Sequence, residues 1–111
     1  MKQVSYSHFT DLDIRIGKIV RVEDFPKARK PAYKLWIDFG PLGVKKTSAQ
    51  ITGLYEREDL QNRKVVAVVN FFPKQIADFV SEVLVLGVEF DKVKVSLLTI
   101  DHEVPLGSKI S

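Results

Sequence analysis

Six positively charged side chains between residues 26 and 46 make this segment the part of the sequence best suited to bind a ligand. Only one acid, Asp38, lies among them, so the segment is strongly basic although the chain has a net charge of only +3. Ammonium and guanidinium groups pair with phosphates, and aromatic rings stack on nucleobases. The segment therefore suits a polyanionic ligand. Its cations are Lys27, Arg29, Lys30, Lys34, Lys45 and Lys46, and its aromatic residues are Tyr33, Trp36 and Phe39.

Residues 33–39 alternate between apolar and other side chains, which predicts a β-strand with one buried face. The apolar residues at odd positions would face the core and leave Lys34 and Trp36 on the open face. Two interpretations remain at this point. The strand belongs either to a solvated basic hairpin whose lysines protect a sheet edge, or to a face that binds polyanions.

Polar residues also occur at the ends of three predicted strands, where the chain is otherwise apolar. Gln50 and Asn70 each end a strand, and Ser81-Glu82 begins another. If these strands are neighbours, the three ends meet at one rim beside Lys74, which indicates a binding site. Alternatively, Asn70 and Ser81 only satisfy backbone groups at the ends of the elements.

The residue types needed for catalysis or metal binding are scarce. The chain has no cysteine and only two histidines, His8 and His102, neither of which has a second histidine three or four positions away. No glycine-rich phosphate-binding motif occurs. The acidic cluster of residues 56–59 is typical of a helix start. We therefore expect a protein that is not an enzyme and that has neither a metal site nor a cofactor.

The remaining pattern predicts an all-β protein with short helical connectors. Lys18 interrupts the alternation of the first strand, and Gly17 lies at this interruption, so we expect a bulge or bend there. The regular spacing of the strands indicates a barrel or sandwich, and the length suits one domain, residues 1–111. Strands are predicted at residues 13–23, 33–39, 44–51, 64–70, 83–88 and 93–100, and helices at residues 7–12, 55–60 and 73–80.

Two of these strands, residues 64–70 and 83–88, are apolar without alternation, which predicts that both of their faces are covered. One cover would be the predicted helix at residues 73–80, plugging the barrel. The other would be a second copy of the chain, because isologous interfaces form readily. We therefore expect a homodimer.

No segment has the length and apolar composition of a signal peptide or a transmembrane helix, so we expect a cytoplasmic protein with no membrane insertion. Charge is distributed unevenly along the chain. Residues 78–111 carry three cations and six acids, in contrast to the basic segment. The molecule should therefore have one positive face and one mildly negative face.

Four blocks of the sequence resemble the CsaA family of export-related chaperones. They read FTDLDIRIGKIVRVEDFPKARKPAYKLWIDFG, KKTSAQIT, EDLQNRKVVAVVNFFPKQI and SEVLVLGV, and the resemblance extends from Phe9 to the C-terminus. That family belongs to a wider class of tRNA-binding domains, found as free dimers and appended to methionyl- and phenylalanyl-tRNA synthetases. The resemblance implies a dimeric five-stranded oligonucleotide-binding (OB) barrel with N- and C-terminal extensions and no enzymatic activity.

The resemblance also implies a set of RNA contacts on the face of the second and third strands, where OB barrels bind their ligands. Two positions depart from the family pattern. Phe72-Pro73 replaces a Pro-Pro pair, which adds an aromatic ring at the rim, and Thr47-Ser48 replaces a Ser-Ser pair. The implied RNA contacts are Arg29, Lys30, Lys34, Lys45, Lys46, Ser48, Gln50, Asn70, Lys74, Ser81 and Glu82.

Three functional hypotheses follow. The first is a dimeric chaperone for unfolded or pre-secretory polypeptides, connected with the export machinery, whose peptide contacts are Trp36, Phe71 and Phe72. The second is a structure-specific tRNA-binding protein that acts in trans in translation or with aminoacyl-tRNA synthetases. The third is an assembly module for a synthetase or a translocase.

Overall fold

A computed structural model describes all 111 residues, and most of the regular structure is β-strand. Helix α1 (Tyr6–Thr10) precedes the strands β1 (Ile14–Asp24), β2 (Tyr33–Asp38) and β3 (Val44–Ala49), with a 3-10 turn at Gly40–Leu42 between the last two. Helix α2 (Arg57–Leu60) follows. The remaining strands are β4 (Lys64–Val68), β5 (Lys74–Ile76), β6 (Phe79–Ser81), β7 (Leu84–Val85), β8 (Gly87–Phe90) and β9 (Lys94–Leu97).

Five antiparallel strands form a nearly closed barrel, in the order β3-β2-β1-β4-β7. Its two edge strands meet at the segment that enters β7. There the Thr47 hydroxyl donates to the carbonyl oxygen of Val83 at 2.7 Å, and the Glu82 amide donates to the carbonyl oxygen of Lys46 at 2.8 Å. The predicted all-β, five-stranded barrel with short helical connectors is therefore confirmed.

The barrel is filled by the apolar faces of its strands, as the alternation predicts. Tyr33, Leu35 and Ile37 of β2 are buried, with Phe39 directly after them, whereas Lys34, Trp36 and Asp38 are only half-buried. Strand β4 is buried from Val65 to Val68, so both of its faces are covered. The sequence therefore predicted correctly which residues of β2 face the core and that both faces of β4 are covered.

The expected bulge at Gly17 is wrong, because the register of β1 against β2 shifts between Ile19 and Arg21. Gly17 is needed for a different reason. A Cβ atom there would lie 2.5 Å from Ile37 Cγ2 and 2.7 Å from the Phe39 ring, closer than real Cβ atoms approach. The glycine therefore permits close packing of β1 on the barrel core, while the bulge at Val20 changes which residues of β1 face inward.

The predicted helix at residues 73–80 is also wrong, because this segment is the β-hairpin β5–β6. Ile76 and Phe79, which have helical spacing in the sequence, face each other directly across the two strands. The turn residue Ala77 has a φ of +52°, which alanine rarely adopts, and Asp78 is the only common turn residue there. A short apolar run of this kind does not distinguish helix from strand.

The segment Val83–Val88 is not the single strand that the sequence predicts. It divides into β7, which pairs with β4, and the start of β8, which pairs with β9 in a separate hairpin. Leu84 and Val88 are each about half exposed. This part of the chain therefore leaves apolar surface uncovered in one copy of the protein.

The C-terminal extension packs along β1 and extends the core beyond the barrel. The amides of Gly107 and Ile110 donate to the carbonyl oxygens of Ile16 and Ile14, each at 2.8 Å. Arg15 donates to the carbonyl oxygen of Gly107 at 2.9 Å and also pairs with Asp13.

The two helices are too short to cross a membrane, and the structure contains no other α-helix.

Replacement of Gly17 by alanine tests the packing of β1. We expect Gly17→Ala to lower the free energy of unfolding by about 1–3 kcal/mol, since the added methyl group must displace Ile37 or Phe39. Urea denaturation followed by circular dichroism measures this change. The control Val20→Ala, at the partly exposed bulge, should cost less; a Gly17→Ala variant as stable as the wild type would contradict the close approach.

Candidate ligand-binding grooves

The hairpin β5–β6 lies across the outer face of β2 and β3, and Phe79 is its main contact with the barrel. Phe79 is buried, and its ring centroid is 5.6 Å from that of Phe25 and 5.9 Å from that of Trp36, both in edge-to-face geometry. Such pairs stabilise beyond the area they bury. The expected open face beside Trp36 is therefore partly covered by the hairpin.

Three cations of the outer face surround these rings. The Lys34 ammonium lies 4.9 Å from the centroid of Phe25 and 5.2 Å from that of Phe79, and the Lys46 ammonium lies 5.1 Å from Phe79. The Arg21 guanidinium lies 4.6 Å from the Trp36 ring. These distances permit cation–π attraction, so the aromatic cluster holds several positive charges on one face of the barrel.

A groove of about 580 Å³ separates the β1–β2 loop, residues 25–32, from strand β5. We call it the basic groove, because four of its residues are cations and none is an acid. Ser48 and Gln50 of the β3 segment also line it and offer hydrogen-bonding groups. Its lining residues are Lys27, Ala28, Arg29, Lys30, Ala32, Ser48, Gln50, Lys74, Gln75, Ile76 and Ala77.

An ion pair connects the two walls of the basic groove. The ammonium of Lys27, in the β1–β2 loop, is 2.8 Å from the carboxylate of Asp78, in the hairpin turn. This hydrogen bond and the attraction between the charges raise the pKa of Lys27, and the same bond lowers the pKa of Asp78. Both side chains are largely exposed, so the pair is accessible to solvent and to ligands.

A second groove, of about 280 Å³, lies on the other side of β5, and we call it the apolar groove. Phe72 at its edge is 97% exposed, and Phe71 and Leu84 are each about half exposed. Three residues, Ser48, Lys74 and Ile76, line both grooves. Strand β5 is therefore a common wall between a basic and an apolar surface.

Ser81 and Glu82 border the apolar groove, but their polar atoms also fasten the hairpin to β3. The hydroxyl groups of Ser81 and Thr47 are 2.7 Å apart, and the Ser48 amide donates to the Ser81 hydroxyl at 3.3 Å. The Lys46 amide donates to the Glu82 carboxylate at 3.0 Å. These bonds position the hairpin, and the RNA contacts implied for both residues stay predictions.

Asn70 and Lys45 lie apart from the other predicted site residues. The Asn70 side chain accepts from the Asp13 amide and donates to the carbonyl oxygen of Asp11, each at 2.8 Å. Lys45 is paired with Ile37, so it projects to the opposite side of β3 from Lys46. Both residues line a smaller cavity of about 210 Å³. The geometry of Asn70 matches the capping interpretation.

The structure thus brings the predicted site residues together in three places. Arg29, Lys30, Gln50, Ser48 and Lys74 share the basic groove, whereas Phe71, Phe72, Ser81 and Glu82 border the apolar groove. Lys34, Trp36 and Lys46 surround Phe79. Sequence reasoning named Lys27 as a cation of the basic segment but not as an RNA contact, and it missed the contributions of Gln75, Asp78, Phe79 and Leu84. The first three of these four belong to the segment that was predicted to be helical.

No group of three or more histidine, cysteine, aspartate or glutamate side chains has an arrangement that could hold a metal ion. The grooves instead offer cations, amide and hydroxyl groups, and exposed aromatic rings. Such groups bind phosphates, carboxylates and apolar side chains.

Two solved structures match this chain over nearly its whole length. The structure of the chaperone CsaA from Bacillus anthracis str. Ames is 50% identical, with a TM-score of 0.95 over 99% of this chain and all of that chain. The CsaA chaperone protein from Picrophilus torridus is 53% identical, with a TM-score of 0.92 over 98% of this chain and all of that chain. The resemblance to CsaA chaperones noted in the sequence is confirmed.

Curated relatives include the methionine–tRNA ligase of Methanocaldococcus jannaschii, which is 36% identical over 110 residues, or 99% of this chain. The match covers only 17% of that ligase, so the chain spans about one sixth of the relative's length. The family model described as a putative tRNA binding domain matches residues 14–109. This chain therefore belongs to the putative tRNA-binding domain family.

Proposed function

We propose that this protein is a non-enzymatic chaperone of the CsaA type, which binds unfolded or pre-secretory polypeptides and acts in protein export. The observation that carries the proposal is the apolar groove, where Phe72 is almost fully exposed beside Phe71 and Leu84. The similarity to two CsaA chaperones, at 50% and 53% identity, supports it.

The chemistry of the groove suits a non-native chain. Exposed apolar groups that cluster around a concavity are typical of interaction sites. An apolar side chain of the client would bury Phe71, Phe72 and Leu84 from water, and full burial of one Phe side chain stabilises by about 1.5–3 kcal/mol. Lys74 at the edge would pair with acidic residues of the same client.

Replacement of Phe72 by serine tests this proposal. We expect Phe72→Ser to weaken polypeptide binding by about tenfold, corresponding to about 1.4 kcal/mol of lost apolar contact. Light scattering by a chemically denatured reporter enzyme, titrated with each variant, measures the suppression of aggregation. The control Leu54→Ser removes a partly exposed apolar residue outside the apolar groove and should behave as the wild type. Equal suppression by the wild type and Phe72→Ser would contradict the assignment.

We also propose that the functional unit is a homodimer. Half of the exposed large apolar side chains lie in the N-terminal segment and in or directly after the β8–β9 hairpin: Met1, Val4, Tyr6, Val88, Phe90, Val93 and Leu98. A two-stranded hairpin with exposed apolar residues and an unpaired edge is a surface that a second copy can cover. Sedimentation at micromolar concentration should therefore give twice the mass of one chain, and a monomer would refute the proposal.

A second candidate function is binding of tRNA in trans, in translation or together with aminoacyl-tRNA synthetases. The observation that favours it is the basic groove, where Lys27, Arg29, Lys30 and Lys74 surround the hydrogen-bonding groups of Ser48 and Gln50. Cations along a groove bind a nucleic-acid backbone through its phosphates. Membership of the putative tRNA-binding domain family supports this function.

The salt dependence of binding tests the RNA function. The variant Lys30→Gln/Lys74→Gln should bind unfractionated tRNA on the order of tenfold more weakly at 0.1 M salt, and should reduce the slope of log K against log salt by about 1.5. Fluorescence anisotropy with labelled tRNA measures both quantities. Lys2→Gln/Lys109→Gln, which removes the same charge from outside the basic groove, should change the slope much less. Identical slopes for the two variants would rule out the basic groove as the RNA site.

Both functions place the protein in the cytoplasm, where nascent polypeptides and tRNA are present. We therefore propose a cytoplasmic location, which cell fractionation with an antibody would check. Recovery of the protein only in a membrane or extracellular fraction would contradict it.

A further inference from the structure

The Lys27–Asp78 ion pair connects the loop wall of the basic groove to the turn of the hairpin that forms its other wall. Lys27 is one of the four cations that line this groove, and its ammonium contacts the Asp78 carboxylate at 2.8 Å. The hairpin places this carboxylate there, because Asp78 occupies the turn between β5 and β6. One cation of the basic groove is thus neutralised by an anion from the protein itself.

Another anion can readily replace the Asp78 carboxylate as the partner of Lys27. The side chains of Lys27 and Asp78 are 69% and 54% exposed, and exposed pairs of this kind contribute little to stability. The buried edge-to-face contact of Phe25 and Phe79 also holds the loop and the hairpin together. Loss of the ion pair therefore frees both charges while the walls of the groove keep their positions.

We propose that Asp78 regulates the basic groove as an intramolecular competitor of RNA, and that a backbone phosphate of the bound RNA displaces its carboxylate from Lys27. This inference rests on the RNA-binding function proposed above. A phosphate and a carboxylate are both anions that accept hydrogen bonds from an ammonium group, so they compete for the same partner.

The exchange has a consequence for the salt dependence of binding. A phosphate that binds a free lysine releases its condensed counterions. When the lysine is taken from Asp78, the ion pair must first be broken, and salt weakens that exposed pair by screening, so the cost of the exchange falls as salt rises. The wild-type protein should therefore bind RNA both more weakly and with a shallower salt dependence than a variant without the carboxylate.

A double-mutant cycle tests the proposal, with unfractionated fluorescent tRNA as the probe. Asp78→Asn should raise the affinity about three- to fivefold, consistent with the strength of an exposed ion pair. It should steepen the slope of log K against log salt by only a small part of the roughly 0.7–0.9 for one phosphate contact, because the same phosphate reaches Lys27 in both proteins. In the Lys27→Gln background, Asp78→Asn should give little of this gain, because the cation that the carboxylate occupies is absent.

Two controls separate the proposed competition from a general effect of charge and from a loss of stability. Asp101→Asn removes a more exposed acid from outside the groove, and should leave the affinity unchanged. Thermal melting of every variant should match that of the wild type, because both residues of the pair are exposed.

Three results would overturn the proposal. An equal gain from Asp78→Asn with and without Lys27 would show a general effect of charge and no competition for that lysine. An effect of Asp78→Asn on aggregation suppression alone, with tRNA affinity unchanged, would assign the residue to polypeptide binding. Absence of tRNA binding by the wild type and all variants would overturn the RNA function and this inference together.

Discussion

The insertion of Phe79 between the β1–β2 loop and the outer face of β2 is the contact on which the arrangement of the grooves depends. Its ring packs against Phe25 and Trp36, and the ammonium groups of Lys34 and Lys46 approach it from the barrel. At the other end of the hairpin, Ser81 bonds to the Thr47 hydroxyl and the Ser48 amide. The hairpin is thus fixed at both ends and divides the outer face into a basic and an apolar side.

This division explains how one small barrel presents two kinds of chemistry. The basic groove lies between the hairpin and the β1–β2 loop, whereas the apolar groove lies between the hairpin and the segment of Phe71 and Phe72. Lys74 borders both, because β5 is their common wall. The proposed RNA and polypeptide contacts therefore meet at one residue, and a change at Lys74 would affect both.

Alternation within single strands made much of the barrel predictable from the sequence. The buried residues of β2 and the continuous burial of β4 follow directly from their apolar patterns. The hairpin was not predictable in this way, because Ala77 adopts a positive φ without a glycine or asparagine to mark the turn. The bulge near Val20 was missed because a glycine within a strand usually marks a bulge. Gly17 has a different role, which is to leave room for the Ile37 and Phe39 side chains.

The candidate site was predictable as a set of charges but not as an arrangement. Lys45 and Lys46 are adjacent in the sequence, yet they project from opposite sides of β3, so only Lys46 joins the cations at Phe79. Asp78 could not be recognised as part of the site, because its position depends on a turn that has alanine, and neither glycine nor asparagine, at its positive-φ position. Proximity in the chain therefore identified the cations, and tertiary packing decided which of them act together.

The fluorescence of Trp36, the one tryptophan of the chain, tests most directly whether the hairpin stays closed over the barrel face. Trp36 does not line the basic groove, and its ring contacts Phe79 and the Arg21 guanidinium, so we expect RNA in the groove not to stack on this ring. Saturation with tRNA should therefore leave the emission of Trp36 and its quenching by acrylamide nearly unchanged, after correction for absorption by the RNA. Strong quenching of Trp36 by bound tRNA would show that bases stack on the ring and would contradict the account.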